Sequence, residues 1–560
     1  MDTQRLIAFI VFSFSAFLLW DAWQKHINPV QAVNPAAATH LATTPQTSAT
    51  ANVPSSHGDA SRVVEGKVGA SPDQEGSGVS VRTDKFDVEL NTLGGDIHSV
   101  TLREHMSSAD KTQPLILLQS KGKHYFVTQS GLLEGLPNHN STFHSDRANY
   151  ELTPGMDKLE VRFTNQDTPG IKVAKLYTFR PGSYVIDVEF QISNETGKPI
   201  TPVAYFQFIH DSNPPEGEAL QNSMFTGVAT FTGPAVYTEE KKFNKIAFSD
   251  IDKGKQDYPR KSTDGWLAMV QHYFVSAWLP KQGVSREYFT RKVSEKYYAA
   301  GIIVASDQID TNKSGGLKVP LYIGPQEQSK LKDLAPGFDL VVDYGWATVL
   351  AVPLFLLLKF IDSIVDNWGW AIVIMTVLIR LVFFPLNQKA GKSMAHMKAV
   401  APRMKQIQER YADDKAKQNQ AMMELYRTEK INPLGGCLPM VVQIPVFIAL
   451  YYVLIAAIEL RHTPWMGWIQ DLSAPDPYYI LPLIMAISMF IQSKLNPPPA
   501  DPMQAKMMLF MPMLFSIMFF FFPSGLVLYY TVQNILGILQ QWWINKTVNQ
   551  STKIHATSKH

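Results

Sequence analysis

The sequence predicts a polytopic α-helical membrane protein of six transmembrane helices that carries one large β-sandwich outside the membrane. Three observations lead there. Long apolar runs cluster at the N-terminus and again after residue 335, the region between them alternates apolar and polar residues with period two, and basic residues concentrate in one connection between apolar runs. The chain of 560 residues is 46% hydrophobic with a net charge of +2, and its mean hydropathy of -0.07 hides this segregation. A near-neutral balance argues against direct nucleic-acid binding, which needs a basic excess to neutralise phosphates. The single cysteine, Cys437, excludes a disulfide framework and a cysteine-rich zinc site. No metal or cofactor is expected.

Residues 1–27 hold Arg5 and an apolar run from Leu6 to Trp20, with Trp20 and Trp23 as an interfacial aromatic pair. Cleavage near Ser13 or Ser15 would split that run, and Ala36 to Ala38 lie too far beyond it, so the segment reads as an uncleaved anchor. Residues 28–78 are rich in Pro, Ala, Thr, Ser and Gln. Such a stretch buries too little surface to offset its ordering entropy and reads as a disordered tether.

Residues 79–334 read as the sandwich. Val79 and Val81, then Phe86, Val88 and Leu90, then Ile186, Val188, Phe190 and Ile192 alternate as strands with one buried face. Turn residues separate the runs at Asn91 to Gly95, Arg180 to Ser183 and Asn194 to Pro199. The aromatic-rich stretch from Gly265 to Pro280 reads as a core strand pair or an edge, with His272 a packed residue. His139 and His144 lie in an Asn/Ser loop without a second ligand pair and are not read as metal ligands.

After Pro336 the apolar segments run Gly345 to Leu358, Trp368 to Leu386, Leu438 to Ile458, Tyr478 to Leu495, Met507 to Phe522 and Leu526 to Ile544. The last five approach the span of about 20 residues that a bilayer requires. Between Asn387 and Pro433 stand Lys389, Lys392, Lys398, Arg403, Lys405, Arg410, Lys415, Lys417, Arg427 and Lys430, against Glu409, Asp413, Asp414, Glu424 and Glu429. The excess of Lys and Arg makes that segment cytoplasmic, whereas Glu459 to Pro477, with Arg461 alone, faces outward. Parity then requires residues 335–366 to be a connector and an amphipathic helix at the outer interface. The expected order continues with a second transmembrane helix over 367–386, a basic helical hairpin over 387–433, transmembrane helices three to six over 434–545 and a short tail over 546–560. Both termini are cytoplasmic, and the sandwich is external, which in a cell of this architecture means periplasmic.

Arg380 is the charge that such a topology must explain. It lies roughly 18 Å along a helix entered at Trp368. A charge at that depth costs at least about 2.5 kcal/mol unless it meets water or polar partners. Snorkelling to the headgroups and a functional role are both open on physics alone. Its company favours function: Thr376 one turn earlier on the same face, Gln443 on the third helix, and Tyr530, Gln533, Asn534 and Gln541 near one stripe of the last helix. These could line a hydrated groove. Interhelical hydrogen bonding is the plain alternative and suits Gln540 and Gln541 best. In the basic hairpin, about Ser393 to Tyr411 and Lys415 to Lys430, Met394, Met397, Met404, Met422 and Met423 suit contact with varied apolar partners. They suit the hairpin's own seam equally, with its lysines on anionic phospholipids.

Three strings carry a closer resemblance: NPLGGCLPMVVQIPVFIALYYVL from Asn432, DLSAPDPYYILP from Asp471 and FPSGLVLYYTVQNILGILQQ from Phe522. With GGDIHSV near Gly94 and the Gly265 to Pro280 stretch, the chain resembles the YidC-type membrane protein insertases in their long Gram-negative form. The resemblance implies a five-helix insertase core in the cell inner membrane, with nascent membrane proteins as clients and the Sec translocon as a partner. It also implies that Arg380 attracts acidic or polar client segments in a groove closed on the periplasmic side, with no catalysis. Signal-recognition machinery and ribosomes are further partners in that family, but the tail after Ile544, with Lys546, Lys553 and Lys559, lacks an extended basic region. A secondary transporter of a polar or anionic solute is the competing class, and it would be expected to show internal repeats that this sequence does not.

Overall fold

The computed structural model describes Pro54 and residues 76–557, apart from 123, 214–230, 256, 413, 430–437, 496–509, 511–513 and 515. The expected N-terminal anchor, nearly all of the tether, Cys437 and much of the first half of the Met507 to Phe522 span lie outside the described residues. Two compact units divide the chain at Val342/Asp343.

The first unit is a sandwich of a ten-stranded and a nine-stranded sheet among the described residues. Alternation builds it as expected. In strand Val185–Asn194, Ile186, Val188, Phe190 and Ile192 are all buried, and the strand pairs antiparallel with Ile171–Phe179 on one side and Lys313–Pro325 on the other. Aromatic contacts join the sheets: Phe190 and Trp278 of one lie 5.9 and 5.0 Å from Phe206 of the other. Such pairs add about 0.5–1.5 kcal/mol each beyond the area they bury. The Gly265 to Pro280 stretch forms the fully buried strands Trp266–Val270 and Phe274–Trp278, an interior pair of the nine-stranded sheet. His272 sits in their turn, buried against Tyr273 with ring centroids 3.8 Å apart.

The sheets are also pinned by charge. Lys175, wholly buried, pairs with Asp96 of the opposite sheet and donates to the carbonyls of Gly94 and Ser130 at 3.0 and 3.1 Å. Asp96 accepts a further bond from the Ser130 N–H at 3.0 Å. Burial holds the Asp96 carboxyl up at about 6 and pushes the Lys175 ammonium down. Gly94, at φ 76°, makes the turn that delivers its own carbonyl to Lys175, and a Cβ there would strike the His139 carbonyl at 2.7 Å. His139 is buried and hydrogen-bonded to the Tyr205 hydroxyl, and desolvation brings its imidazole down to about 3.

The sandwich extends past the expected boundary at Leu334. Trp266 donates its indole N–H to the Pro336 carbonyl at 3.0 Å, and Phe338 packs on Trp266 and Tyr322. Residues 335–342 therefore belong to the sandwich. This is tertiary packing that local pattern does not announce.

The second unit is helical: α1 Thr348–Val365, α2 Trp368–Val382, α3 Phe384–Arg410, α4 Lys415–Thr428, α5 Leu438–Ala456, α6 Ile480–Leu495 and α7 Ser524–Thr557. Where a short interfacial helix was expected, α1 and its leading 3-10 turn span Gly345–Val365. Among the described residues this is the one helix long and apolar enough by itself to cross a membrane, by length and composition. Ala351, Phe355, Leu358 and Ile361 form its buried face, while Val349, Leu356, Phe360 and Ile364 are exposed. The second expected span differs too. It breaks at Phe383, not at Leu386, and α2 and α3 meet at a bend of 67°. Pro385 explains the break, because it has no N–H to donate to the preceding turn.

The hairpin of α3 and α4 forms as expected but starts earlier, directly from the bend. Asp414 caps α4 by accepting from the Lys417 N–H at 3.0 Å, and Arg403 pairs with Glu429 across the hairpin. The helix α7 runs on past the expected end of the last span, through to Thr557.

Candidate functional site

The site is organised by the loop between α5 and α6. Asp471 accepts from the Ser473 N–H and hydroxyl at 3.0 and 2.7 Å, and Asp476 accepts from the Leu481 N–H at 2.7 Å, capping α6. Ser524 donates its hydroxyl to the Ala474 carbonyl at 2.6 Å, which starts α7, and Asn367 donates to the Trp465 carbonyl at 3.1 Å, which starts α2. Three helices thus set out from one loop and descend side by side. Asp471 and Asp476 are thus occupied by hydrogen bonds within the loop and to the start of α6.

Arg380 lies in the last turn of α2, just above the bend. It faces Gly537 of α7, where a Cβ would stand 3.1 Å from its Nη2 and 3.4 Å from Gln492 Oε1 of α6. Among the described residues the Arg380 Nε is buried without a hydrogen-bond partner, as are Gln492 Oε1, Gln533 Oε1 and both amide atoms of Gln540. Buried polar groups are normally satisfied, because leaving one bare costs about 1–3 kcal/mol. Of these, the Gln492 oxygen is the one that shares the Gly537 position with the guanidinium.

The other expected residues divide. Gln443 donates to the Tyr529 hydroxyl at 2.6 Å, tying α5 to α7. Tyr530 is partly buried in an aromatic cluster, 4.7 Å from Phe447 and 5.0 Å from Phe519 by ring centroids. Asn534 donates weakly to the Ser488 hydroxyl at 3.3 Å. Thr376 does not turn its hydroxyl to another helix: it is fully buried and donates to the Ile372 carbonyl of its own helix at 2.7 Å. Gln541 bonds Asn545 within α7 at 3.0 Å instead of crossing to another helix.

Sequence reasoning missed Tyr529, Gln492, Ser488 and Gly537. Ser488 and Gln492, four apart in an apolar helix, were a readable signal. Tyr529→Phe is expected to leave the Gln443 amide unpaired and to cost about 0.6–1.7 kcal/mol. Thermal unfolding of the detergent-purified protein measures this as a modest fall in midpoint.

The hairpin methionines also divide. Val400 and Met404 are buried in the seam, with Met397, Met422, Leu425 and Tyr426 packed on them. Met423 is 67% exposed, and Met394 is partly buried outside the seam. Gly391 of α3 lies against Ile544 and Gln541, bringing the hairpin's base alongside α7.

The family model described as YidC periplasmic domain matches residues 78–357, and that described as 60Kd inner membrane protein matches residues 360–552. The chain is 50% identical to the membrane protein insertase YidC of Aromatoleum aromaticum, with 98% of each chain covered. It is 47% identical to that of Methylobacillus flagellatus, again over 98% of each. A crystal structure of an active YidC insertase with its first transmembrane domain resolved covers 83% of this chain and 94% of its own, at 18% identity and a TM-score of 0.39. Matches of this identity over nearly the whole length place the chain in the YidC family of inner membrane proteins, with the sandwich as its periplasmic domain.

Proposed function

We propose that this protein is a membrane protein insertase that passes client segments from the cytoplasm into the inner membrane through a hydrated, positively charged groove bounded by α2, α5, α6 and α7. The carrying observation is Arg380 beside the unpartnered Gln492 oxygen at Gly537, in a helix that also carries the unpartnered Gln533 oxygen and Gln540 amide within four residues of that glycine. Polar groups that water can reach lower the cost of moving a client's backbone and side chains through hydrocarbon. The short course of α2 acts in the same direction. Its 15 residues rise roughly 22 Å before the bend, less than the hydrocarbon thickness of about 30 Å. The client's apolar helix then partitions into lipid, where its transfer is favourable, and no nucleotide is needed for that step.

In this reading the loop between α5 and α6 faces the periplasm and seals the groove, while the α3–α4 hairpin faces the cytoplasm. Both termini are cytoplasmic, and six helices cross the membrane. The basic hairpin meets anionic phospholipids, with Met423 and Met394 available to incoming clients. Nascent membrane proteins are the partners, alone or with the Sec translocon. The relatives named as insertases support this reading over a solute transporter.

Hydration is directly testable. With Cys437 replaced by Ser, single cysteines at 443, 492 and 533 are expected to react with a membrane-impermeant maleimide from the cytoplasmic side. A cysteine at 376 should stay inert, given its full burial. Inertness at all of 443, 492 and 533 in a folded protein would remove the physical basis of the groove.

A further inference from the structure

We infer that Arg380 and Gln492 act together across Gly537 as a donor and acceptor pair that grips the extended backbone of a client segment, and not only its acidic side chains. This inference rests on the insertase reading above and names what its groove binds. Three helices bring the pair together. Arg380, Gln492 and Gly537 each lie roughly 18–20 Å along α2, α6 and α7 from the common loop, so the convergence is at one level of the unit.

The chemistry of the two side chains is complementary. A guanidinium offers donors only, whereas the amide oxygen of Gln492 is an acceptor. Both lie within 3.4 Å of the point a Gly537 Cβ would occupy, and neither Arg380 Nε nor Gln492 Oε1 has a partner among the described residues. Among the described residues no Asp or Glu pairs with Arg380. A peptide unit carries one carbonyl acceptor and one N–H donor and so satisfies both ends of such a pair. A client carboxylate could occupy Arg380 but has no donor to offer the Gln492 oxygen. Glycine at 537 keeps the space between the two free of side-chain atoms, which close approach by a backbone requires. Recognition of this kind does not depend on client sequence, which suits an insertase with many clients.

The test uses the full-length protein in proteoliposomes and two single-span clients, one with an acidic N-terminal segment and one with an uncharged polar segment. Gln492→Leu is expected to slow insertion of both by a similar factor, roughly 3- to 10-fold, as for a lost hydrogen bond at a buried site. Gln492→Glu should be worse, because its carboxylate would pair with Arg380 and close the site. Gly537→Val should resemble Gln492→Leu with both side chains intact. Client variants with proline in the crossing segment, which remove an N–H, should lose the benefit of Gln492, so that Gln492→Leu slows them no further. Unchanged thermal midpoints establish that each variant is folded. If Gln492→Leu leaves both clients unaffected while Arg380→Ala still impairs insertion, the backbone pair is wrong and the insertase groove stands. If neither substitution affects either client, the groove reading itself fails.

Discussion

Arg380→Ala is expected to slow insertion of clients with acidic N-terminal segments by about ten- to a hundred-fold, the equivalent of the roughly 1.5–3 kcal/mol of a hydrogen bond to a charged group. The guanidinium lies beside the Gln492 amide with no counter-ion among the described residues, so a client carboxylate would supply one. Clients with uncharged segments should lose less. Arg380→Lys should retain much of the activity, because attraction of an acidic segment needs charge more than a planar fork of donors. Insertion kinetics in proteoliposomes, with each client compared across the three proteins, separate these outcomes. Equal rates for wild type and Arg380→Ala with every client would refute the electrostatic part of the mechanism.

The second large effect concerns the sandwich. Lys175→Met should destabilise that domain by about 3–5 kcal/mol, because it strands the Asp96 carboxylate between the sheets. Removing both charges, as in Asp96→Leu with Lys175→Met, should be far milder and could even stabilise it, since the pair's desolvation cost disappears with its attraction. Chemical denaturation of the full-length protein, followed by amide exchange in strand Ile171–Phe179, measures both. The pair also has a pH signature. A carboxyl held at about 6 against an ordinary value of 3.8 binds its proton more tightly in the folded state. Its contribution to stability is therefore fully present below about 3.8 and is lost as pH rises through 6. The double variant should lose that slope between pH 4 and 6, and persistence of the slope would assign it to other groups.

The two sites lie in separate compact units. Loss of insertion in Lys175→Met would therefore report unfolding of the periplasmic domain, not damage to the groove.

Patterning along the chain was enough for the strands and the basic hairpin and singled out Arg380 as a charge in an apolar run, because each depends on residues close in sequence. Ile186 to Ile192 bury alternate side chains whatever they pack against, and a charge in an apolar run declares its own cost. Packing alone decided the rest. Which of Tyr529 and Tyr530 meets Gln443 depends on the rotation of α7, and a hydroxyl such as that of Thr376 can turn back to its own helix without any change in pattern. The partners of Lys175 and the neighbours of Arg380 come from distant strands and separate helices. Only their approach in space brings two charges together between the sheets, or sets an arginine and a glutamine on either side of a glycine.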